Sequence, residues 1–320
     1  MSEIYSRFCP PPPPSPPPPP MLNADCINAL NFVAELDFFT EYNREYKDIE
    51  VDDDPYFGIN VSSKFFDIDS LSAAEFTKNS SLYISVNIQS LQSKFEQLCI
   101  DISEFPEKNI SIDVIALQEI WDVRYPELFT IPGYKPLICK TRRGMRGGGV
   151  GFYVKDHLNV QILEELSFFE NKIIESMSVK VSYPDKKSVI ISSVYRSNGT
   201  LQNVTPSQQI ERFKEKFSDL LSLLRNSKLD AYVCMDSNID LLKLNQPNAR
   251  NFLNLIFEKS FLPAITKATR CQSDSKTLID QILFNKNCVN LNSGTIVSDT
   301  SDHFMTFIAP PRSIKKCASQ

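Results

Sequence analysis

Apolar residues divide the chain into an irregular first part and a second part with clear strand and helix periods. Leu82, Ile84 and Val86 alternate with polar or small residues, which predicts a strand. The apolar run at 112–117 predicts a central strand that is covered on both faces. Helical spacing over residues 90–100 predicts a helix between them. The globular part therefore begins near residue 82 with a strand–helix–strand unit.

The same two periods continue to the end of the chain. An apolar stripe over residues 206–224 predicts a long amphipathic helix, and residues 251–257 predict a shorter one. The remaining apolar runs predict strands at 150–154, 160–163, 173–181, 188–195, 231–235, 277–284, 294–297 and 304–308. This order predicts an α/β (α+β) fold of two packed β-sheets with helices on their outer faces, and not a barrel of eight βα units.

The first part of the chain contains a proline run and an acidic stretch. The run begins at Pro10, ends at Pro20 and is interrupted once by Ser15, so we expect it to adopt polyproline II. We predict that residues 1–23 are a disordered spacer or a ligand for a proline-recognising domain, and that residues 24–80 form an acidic, loosely ordered extension. These boundaries leave residues 81–310 as one globular domain and 311–320 as a C-terminal tail.

Composition narrows the class of protein. The chain is 42% hydrophobic and 23% charged, which is ordinary for a globular protein. Its eight cysteines show no Cys-x-x-Cys spacing, which favours reduced thiols over disulfides or zinc. No apolar run approaches the ~20 residues of a membrane span, and the N-terminus does not resemble a signal peptide. We therefore expect an intracellular protein, nuclear or cytoplasmic, that is neither secreted nor membrane-bound.

The net charge of −5 hides an uneven distribution. The first 80 residues carry 14 acidic and 5 basic side chains, whereas the rest carry 25 acidic and 29 basic ones. The globular part is therefore mildly basic, and a cluster of lysine and arginine there could contact phosphates.

A basic, glycine-rich tract precedes the strand predicted at 150–154. It lacks the Gly-Lys-Ser/Thr ending of a phosphate-binding loop, and a strand follows it where such a loop is followed by a helix, so we expect no nucleotide cofactor. A basic hairpin loop that contacts a nucleic-acid backbone fits better. The candidate contact residues are Arg142, Arg143, Arg146 and, at the end of a later strand, Arg196.

Polar side chains recur at the ends of the predicted strands. They are Asn87, Glu119, Tyr195, Asp236, Asn238, Asp280, Asp302 and His303. Each residue alone is more often a cap or a turn residue, so only the whole set indicates one site assembled from many strands. Carboxylates gathered in one cleft repel each other unless a cation joins them, and oxygen ligands favour Mg²⁺, Mn²⁺ or Ca²⁺ over zinc.

These groups match the needs of phosphoester hydrolysis. His303 can transfer a proton or donate a hydrogen bond to a phosphoryl oxygen, and Asp280 could fix its tautomer. Asn87 and Asn238 offer neutral amides to a metal or a phosphate, and Tyr195 can donate to an anionic oxygen. The set predicts metal-assisted attack of water on a phosphodiester or a phosphomonoester.

Seven short segments, in this order, resemble the motifs of the endonuclease/exonuclease/phosphatase superfamily, in particular the endonuclease domain of non-long-terminal-repeat (non-LTR) retrotransposons. They are Val86 and Asn87, Leu-Gln-Glu-Ile-Trp at 117–121, Arg-Gly-Gly-Gly-Val-Gly-Phe at 146–152, Val-Tyr-Arg at 194–196, Asp-Ser-Asn at 236–238, Thr-Leu-Ile-Asp at 277–280 and Ser-Asp-His at 301–303. The resemblance spans residues 82–309. One departure is Met235, which stands where the family's Gly-Asp-Phe-Asn motif begins with glycine.

The resemblance implies a DNase I-like, four-layered sandwich of two mixed β-sheets flanked by helices. It also implies Mg²⁺, or alternatively Mn²⁺, held chiefly by Glu119 with help from Asn87 and Asp302. The implied catalytic roles are activation of water by Asp236, contact with the scissile phosphate by Asn238, Tyr195 and His303, and pairing of Asp280 with His303.

In retrotransposons the domain nicks target DNA and leaves a 3′-hydroxyl that primes reverse transcription, so DNA is the expected partner. Two alternatives stay open: a phosphatase or phosphodiesterase acting on lipids or small phosphoesters, and a catalytically decayed copy that serves as a binding module.

Overall fold

The computed structural model describes residues 63–78, 80–142, 144, 146–272, 275–285, 291–298 and 300–311. The proline-rich segment 1–23, most of the acidic extension and nearly all of the C-terminal tail lie outside these residues. Arg143 also lies outside them, so its predicted role in nucleic-acid binding stays a prediction.

Sixteen strands and four α-helices form within the described residues. The strands are β1 (Lys64–Phe66), β2 (Tyr83–Asn87), β3 (Val114–Gln118), β4 (Ile138–Lys140), β5 (Val150–Val154), β6 (Asn159–Ile162), β7 (Phe169–Glu170), β8 (Ile174–Ser182), β9 (Ser188–Tyr195), β10 (Asp230–Asp236), β11 (Leu262–Pro263), β12 (Arg270–Gln272), β13 (Ser275–Thr277), β14 (Asp280–Phe284), β15 (Asn292–Ile296) and β16 (Met305–Ala309). The helices are α1 (Ile68–Ala73), α2 (Leu91–Glu107), α3 (Pro206–Asn226) and α4 (Pro247–Glu258). None of these helices has the length and apolar character that crossing a membrane requires.

Two mixed sheets make up the body of the fold. The first has the strand order β1-β15-β16-β2-β3-β5-β4, and the second has the order β11-β14-β10-β9-β8-β6, with β7 also paired to β8. Each sheet contains a central parallel pair, β2 with β3 and β9 with β10. A long helix joins the strands of each pair, α2 in the first sheet and α3 in the second, because parallel neighbours need a crossover connection.

The sheets pack against each other, and helices cover their outer faces. Between the sheets, the Tyr83 and Tyr232 rings meet with centroids 5.1 Å apart. Helix α2 buries Leu98, Ile102 and other side chains in the apolar cluster of the first sheet. Helices α3 and α4 bury their apolar stripes in the cluster of the second sheet. The predicted four-layered, DNase I-like sandwich is therefore confirmed.

The sheet begins further upstream than the sequence predicted. Strand β1 pairs in parallel with β15 at one edge of the first sheet, and the Phe66 ring packs 5.3 Å from that of Phe307. Ser63 and Thr266 hydrogen-bond through both their hydroxyls and their backbone amides. The expectation of loose order up to residue 80 is therefore wrong for residues 63–78. A three-residue strand is too short to show a period, and its partner lies near the other end of the chain.

A second difference concerns the strand predicted at 277–284. It is split into β13 and β14, because the backbone of the two residues between them bonds to another loop: Leu278 N donates to Asp240 Oδ1 at 3.0 Å, and Ile279 O accepts from Ser237 N at 2.9 Å. The split places Asp280 at the start of β14, directly opposite Asp236 in the ladder.

Candidate active site

The polar strand ends meet at one edge of the sandwich. Asn87 ends β2 beside Gln118 at the end of β3, and Asp236 ends β10 beside Tyr195 at the end of β9. Because the strands of each central pair run in parallel, their carboxyl ends lie at the same edge of each sheet. Gln118 ties the two sheets together there, since its Nε2 donates to Ser193 Oγ at 2.9 Å.

Asn87 links a carboxylate of each sheet. Its Nδ2 donates to Glu119 Oε1 at 3.1 Å and to Asp236 Oδ2 at 2.8 Å. Asn87 and Asp236 are buried, and Glu119 is half-buried. The three residues predicted for metal binding and water activation thus form one hydrogen-bonded group.

The backbone around Glu119 is strained. Glu119 and Trp121 both adopt left-handed conformations, with φ of 52° and 61°, which cost energy for residues other than glycine. Ser90 N donates to Glu119 O at 2.8 Å and holds this turn in place. In this left-handed conformation the Glu119 carboxylate lies within hydrogen-bonding distance of Asn87 Nδ2.

Trp121 is a site residue to which the sequence assigned no role. Its indole Nε1 donates to Glu119 Oε2 at 3.3 Å, and the Arg146 guanidinium lies 4.9 Å from the centre of its ring. Both oxygens of Glu119 are therefore oriented by protein donors. The only sequence signal was the position of Trp121 two residues after Glu119, within the quoted motif.

Asp236 and Asn238 form a tight turn after β10. The backbone amide of Asn238 donates to Asp236 Oδ1 at 2.9 Å, and Asn238 Nδ2 lies 3.3 Å from Asp236 Oδ2. Asn238 is left-handed, with φ of 48°. Met235 is fully buried in the core, so the bulky residue that replaces the family's glycine is accommodated there.

His303 pairs with Asp280 beside Asp236. Its Nδ1 lies 2.9 Å from Asp280 Oδ2, which also accepts from Thr269 Oγ1 at 2.6 Å. Both partners are buried, so the carboxylate fixes the ring orientation and favours a proton on Nδ1. Burial is the largest single influence and lowers the pKa of His303, but the surrounding carboxylates, Asp280 first and then Asp236 and Asp302, together raise that pKa to about 9.

Burial and nearby negative charge disfavour ionisation of Asp236. Burial is the larger cause and the Asp280 carboxylate the next, and together they raise the pKa of Asp236 to about 7. Tyr195, whose backbone is the ladder partner of Asp236, also has a raised pKa because it is buried and faces Glu119. Tyr195 therefore stays a neutral hydrogen-bond donor.

The donor set fits a hard divalent cation. Glu119 and Asp236 supply carboxylate oxygens, and Asn87 Oδ1 supplies a neutral one on the same edge, which matches the ligand preference of Mg²⁺ and Mn²⁺. Asp236, Asp280 and His303 also place one potential ligand atom each within 4.8 Å of one another. A cation here would offset the repulsion between the carboxylates.

Asp302 is placed differently from the other predicted metal ligands. Its Oδ2 accepts from Arg270 Nε at 2.7 Å and Nη2 at 2.6 Å, and its Oδ1 lies 3.9 Å from His303 Nε2. Arg270 compensates the charge of Asp302, so Glu119 and Asn87 fit a metal-binding role better. Sequence patterns gave no signal for Arg270.

Arg142, which was predicted to contact nucleic acid, is turned inward and away from solvent. It forms a buried ion pair with Glu175, whose side chain is only 5% exposed, and Glu175 Oε2 also accepts from Gly149 N at 2.6 Å. At Gly148 a side chain would collide with both members of the pair, which explains the glycine. The prediction that Arg142 contacts nucleic acid is wrong in this arrangement, because Glu175 holds its guanidinium inside.

Arg196 is also held by contacts within the protein. Its Nε and Nη2 donate to the carbonyl oxygens of Ser237 and Asn238 at 2.5 and 3.0 Å, and its guanidinium lies 5.7 Å from the centre of the Phe213 ring. It therefore stabilises the turn that carries Asp236 rather than projecting toward a ligand. Of the described arginines predicted to contact nucleic acid, Arg146 is exposed and adjoins the site.

Comparison with protein families finds no matching family. No curated protein matches the chain either. Solved structures do match: D. rerio TDP2 complexed with a single-strand DNA product, at 14% identity, and the endonuclease domain of TRAS1, a telomere-specific non-LTR retrotransposon, at 13%. Each match covers 72% of this chain and 98% of the other, with a TM-score of 0.51. The Xenopus laevis APE2 catalytic domain matches at 16% identity over 74% of this chain and 94% of its own, also with a TM-score of 0.51.

At these identities the likeness is one of fold. The solved structures that match include proteins described as members of the endonuclease/exonuclease/phosphatase family, for example one from Leptotrichia buccalis at 16% identity over 71% of this chain and 98% of that one, with a TM-score of 0.50. The chain thus has the DNase I-like fold that its motifs predicted, and it shares this fold with these solved structures.

Proposed function

We propose that this protein is a metal-dependent phosphodiesterase that nicks DNA in the manner of a retrotransposon endonuclease. One observation carries the proposal: the Asn87 amide joins Glu119 to Asp236, and Asp236 lies beside the buried Asp280–His303 pair. Carboxylates, an amide and an oriented imidazole at one sheet edge are the groups that hydrolysis of a phosphodiester needs.

Glu119 and Asn87 would hold the metal, either Mg²⁺ or Mn²⁺. Bound there, it would polarise a phosphoryl oxygen and offset the charge on the leaving oxygen. Trp121 keeps Glu119 oriented through the indole hydrogen bond to Oε2. The ligand set does not require Asp302, because Arg270 already binds its carboxylate.

Asp236 would accept the proton of the attacking water. Its pKa of about 7 lies near neutral pH, which suits a general base. The water oxygen bonds to phosphorus while the bond from phosphorus to the 3′-oxygen breaks, and the leaving oxygen takes up a proton. The products are a 5′-phosphate and the 3′-hydroxyl that would prime reverse transcription.

The remaining residues would hold the phosphate. His303 has Nε2 available, because Asp280 engages Nδ1, and its positive charge would stabilise the pentavalent phosphorus. Tyr195 stays protonated and donates to a phosphoryl oxygen. Asn238 Nδ2 donates to Arg196 O at 2.8 Å and lies 3.3 Å from Asp236 Oδ2, and it would donate to the phosphate by exchanging the longer of these two contacts.

DNA is the substrate best supported among phosphodiesters. The solved structures with a similar fold include a retrotransposon endonuclease domain and a protein complexed with a single-strand DNA product. In this chain, exposed Arg146 stacked on Trp121 places a cation beside Glu119, where a backbone phosphate would lie. Neither feature specifies a lipid or a small phosphoester.

The test is nicking of supercoiled plasmid by wild type and by Asp236→Asn, each with Mg²⁺ or with EDTA. We expect wild type to nick only with metal and Asp236→Asn to lose at least about 100-fold in rate, because the general base is gone. Asp219→Asn, an exposed aspartate on α3, is the matched control and should nick normally. Undiminished nicking by Asp236→Asn would contradict the assignment.

Assays of phosphate release from inositol phosphates, run alongside, separate the alternatives. Release without nicking would replace the proposed substrate with small phosphoesters. If neither assay shows metal-dependent turnover, the chain would be a decayed copy.

A further inference from the structure

A cavity of about 290 Å³ opens beside the candidate active site. Its apolar wall consists of Phe168, Phe169 and Val150, and its polar side includes Lys140 and the Arg142–Glu175 ion pair. The mechanism proposed above uses none of these side chains. They nevertheless form a pocket with one flat aromatic wall and a cationic rim.

Phe169 is the unusual member of this wall. It lies in the two-residue strand β7 and is 45% exposed, whereas the other phenylalanines of the described core are largely buried. The Arg142 guanidinium lies 5.6 Å from the centre of its ring, on one face. Because Glu175 holds Arg142 in place, the ring is oriented although much of it is open to solvent.

The cavity adjoins the site through the strands that build both. Glu175 in its wall is the ladder partner of Phe169 on one side and of Tyr195 on the other. The loop above it is joined to the turn after Glu119, since Trp121 N donates to Gly148 O at 2.7 Å. A ligand in the cavity would therefore lie within one or two strand spacings, about 5–10 Å, of Tyr195.

Glu175 compensates the charge of Arg142, so Lys140 is the cation that suits the cavity to a ring attached to an anion. Lys140 is exposed, and its Nζ donates to Ser167 O at 2.9 Å, which keeps the ammonium near the rim. An aromatic face stacks with a nucleobase, and a neighbouring cation attracts the phosphate of the same nucleotide. An apolar side chain of a protein partner would use the phenylalanines but not the cationic rim.

We propose that this cavity binds an unpaired nucleobase of the substrate strand next to the scissile phosphate. The identity of the ligand rests on the proposed function. A base within a duplex is stacked on both faces, so Phe169 is accessible only to a base that has left the stack. The site therefore favours single-stranded or distorted DNA over regular duplex.

The test is binding of a short fluorescein-labelled oligothymidylate, followed by fluorescence anisotropy in the full chain carrying Asp236→Asn, so that nothing is cleaved. A duplex of the same length is measured in parallel. Adding Phe169→Ala should weaken binding of the single strand about five-fold or more, and binding of the duplex much less. Phe169→Trp should retain affinity, and Phe169→Leu should not, because leucine keeps the apolar volume but lacks the aromatic face.

Leu223→Ala is the matched control, since Leu223 is 48% exposed on α3, and it should leave binding unchanged. Thermal unfolding of each variant checks the fold. Equal affinity of Phe169→Ala and the parent for the single strand would overturn the inference, as would full affinity of Phe169→Leu or failure of the parent to bind. Selective binding by a protein that nicks no plasmid would leave the inference standing and remove the proposed function.

Discussion

At the scale of single residues, the geometry of the site depends on which hydrogen-bond partners orient each functional side chain. Glu119 is positioned by Asn87 on one oxygen and by Trp121 on the other, with a strained backbone beneath both. The sequence brought out Asn87 and Glu119 as polar strand ends. It did not assign a role to Trp121, because a single tryptophan after a turn more often packs in the core or at the edge of a cleft.

We predict that Trp121→Phe weakens metal binding about ten-fold, because Glu119 Oε2 loses its oriented donor while an aromatic ring is kept at this position. Isothermal titration with Mn²⁺ measures this directly and does not depend on turnover. Tyr125→Phe, on the exposed loop that follows, is the control and should bind Mn²⁺ as wild type does. Unchanged affinity in Trp121→Phe would show that the hydrogen bond has no part in metal binding.

The Asp280–His303 pair predicts how stability responds to pH. The pKa of His303 is raised from about 6.5 in the unfolded chain to about 9, so the pair stabilises the fold fully below pH 6.5. That contribution is lost as the pH rises through 9. In EDTA, the free energy of unfolding of wild type should therefore fall more between pH 7 and pH 10 than that of His303→Gln. Parallel urea titrations at each pH measure the difference, and equal slopes would argue against a charged His303.

At the scale of elements, the glycine-rich loop shows how a sequence pattern can serve packing. Its arginines and glycines predicted a basic hairpin loop that contacts a nucleic-acid backbone. The structure instead buries Arg142 against Glu175, and Gly148 leaves room for the pair. The reason is that Glu175 lies in β8, 33 positions along the chain, where no local pattern connects it to the loop.

We predict that Arg142→Ala destabilises the protein by about 3–5 kcal/mol, because it leaves the Glu175 carboxylate buried without its partner. The double change Arg142→Met with Glu175→Gln should cost clearly less, since neither charge is then buried alone. Arg212→Ala breaks the exposed pair with Glu170 and should change stability by no more than about 1 kcal/mol. Urea unfolding of the four proteins measures these values, and a small effect of Arg142→Ala would mean that water reaches Glu175.

At the scale of the whole molecule, the first sheet draws its edge strand from a segment that sequence patterns excluded. Strand β1 and the 3-10 turn Glu75–Lys78 cover the end of the sheet through Phe66 and Phe76, whose rings lie 5.3 and 6.0 Å from that of Phe307. The domain boundary predicted at residue 81 would cut this cover away.

We therefore expect a chain of residues 63–320 to unfold at a clearly higher temperature than a chain of residues 81–320. The shorter chain exposes Phe307 and loses the three hydrogen-bonded contacts between Ser63 and Thr266. Differential scanning calorimetry of the two purified chains makes the comparison. Equal unfolding temperatures would mean that the edge strand adds nothing to the stability of the sandwich.

The sequence by itself determined the fold class and the polar residues that could carry chemistry. It could do so because strand and helix periods are local, and because parallel strands bring their carboxyl ends to one edge. Tertiary structure alone decided which of those residues hydrogen-bond to each other, and which arginines are paired inside the protein and which are exposed. Asn87 reaches Asp236 across 149 positions of the chain, and Arg270 reaches Asp302 only because a loop folds back beside β16. Such pairings depend on distances between separate elements, and a one-dimensional pattern does not contain those distances.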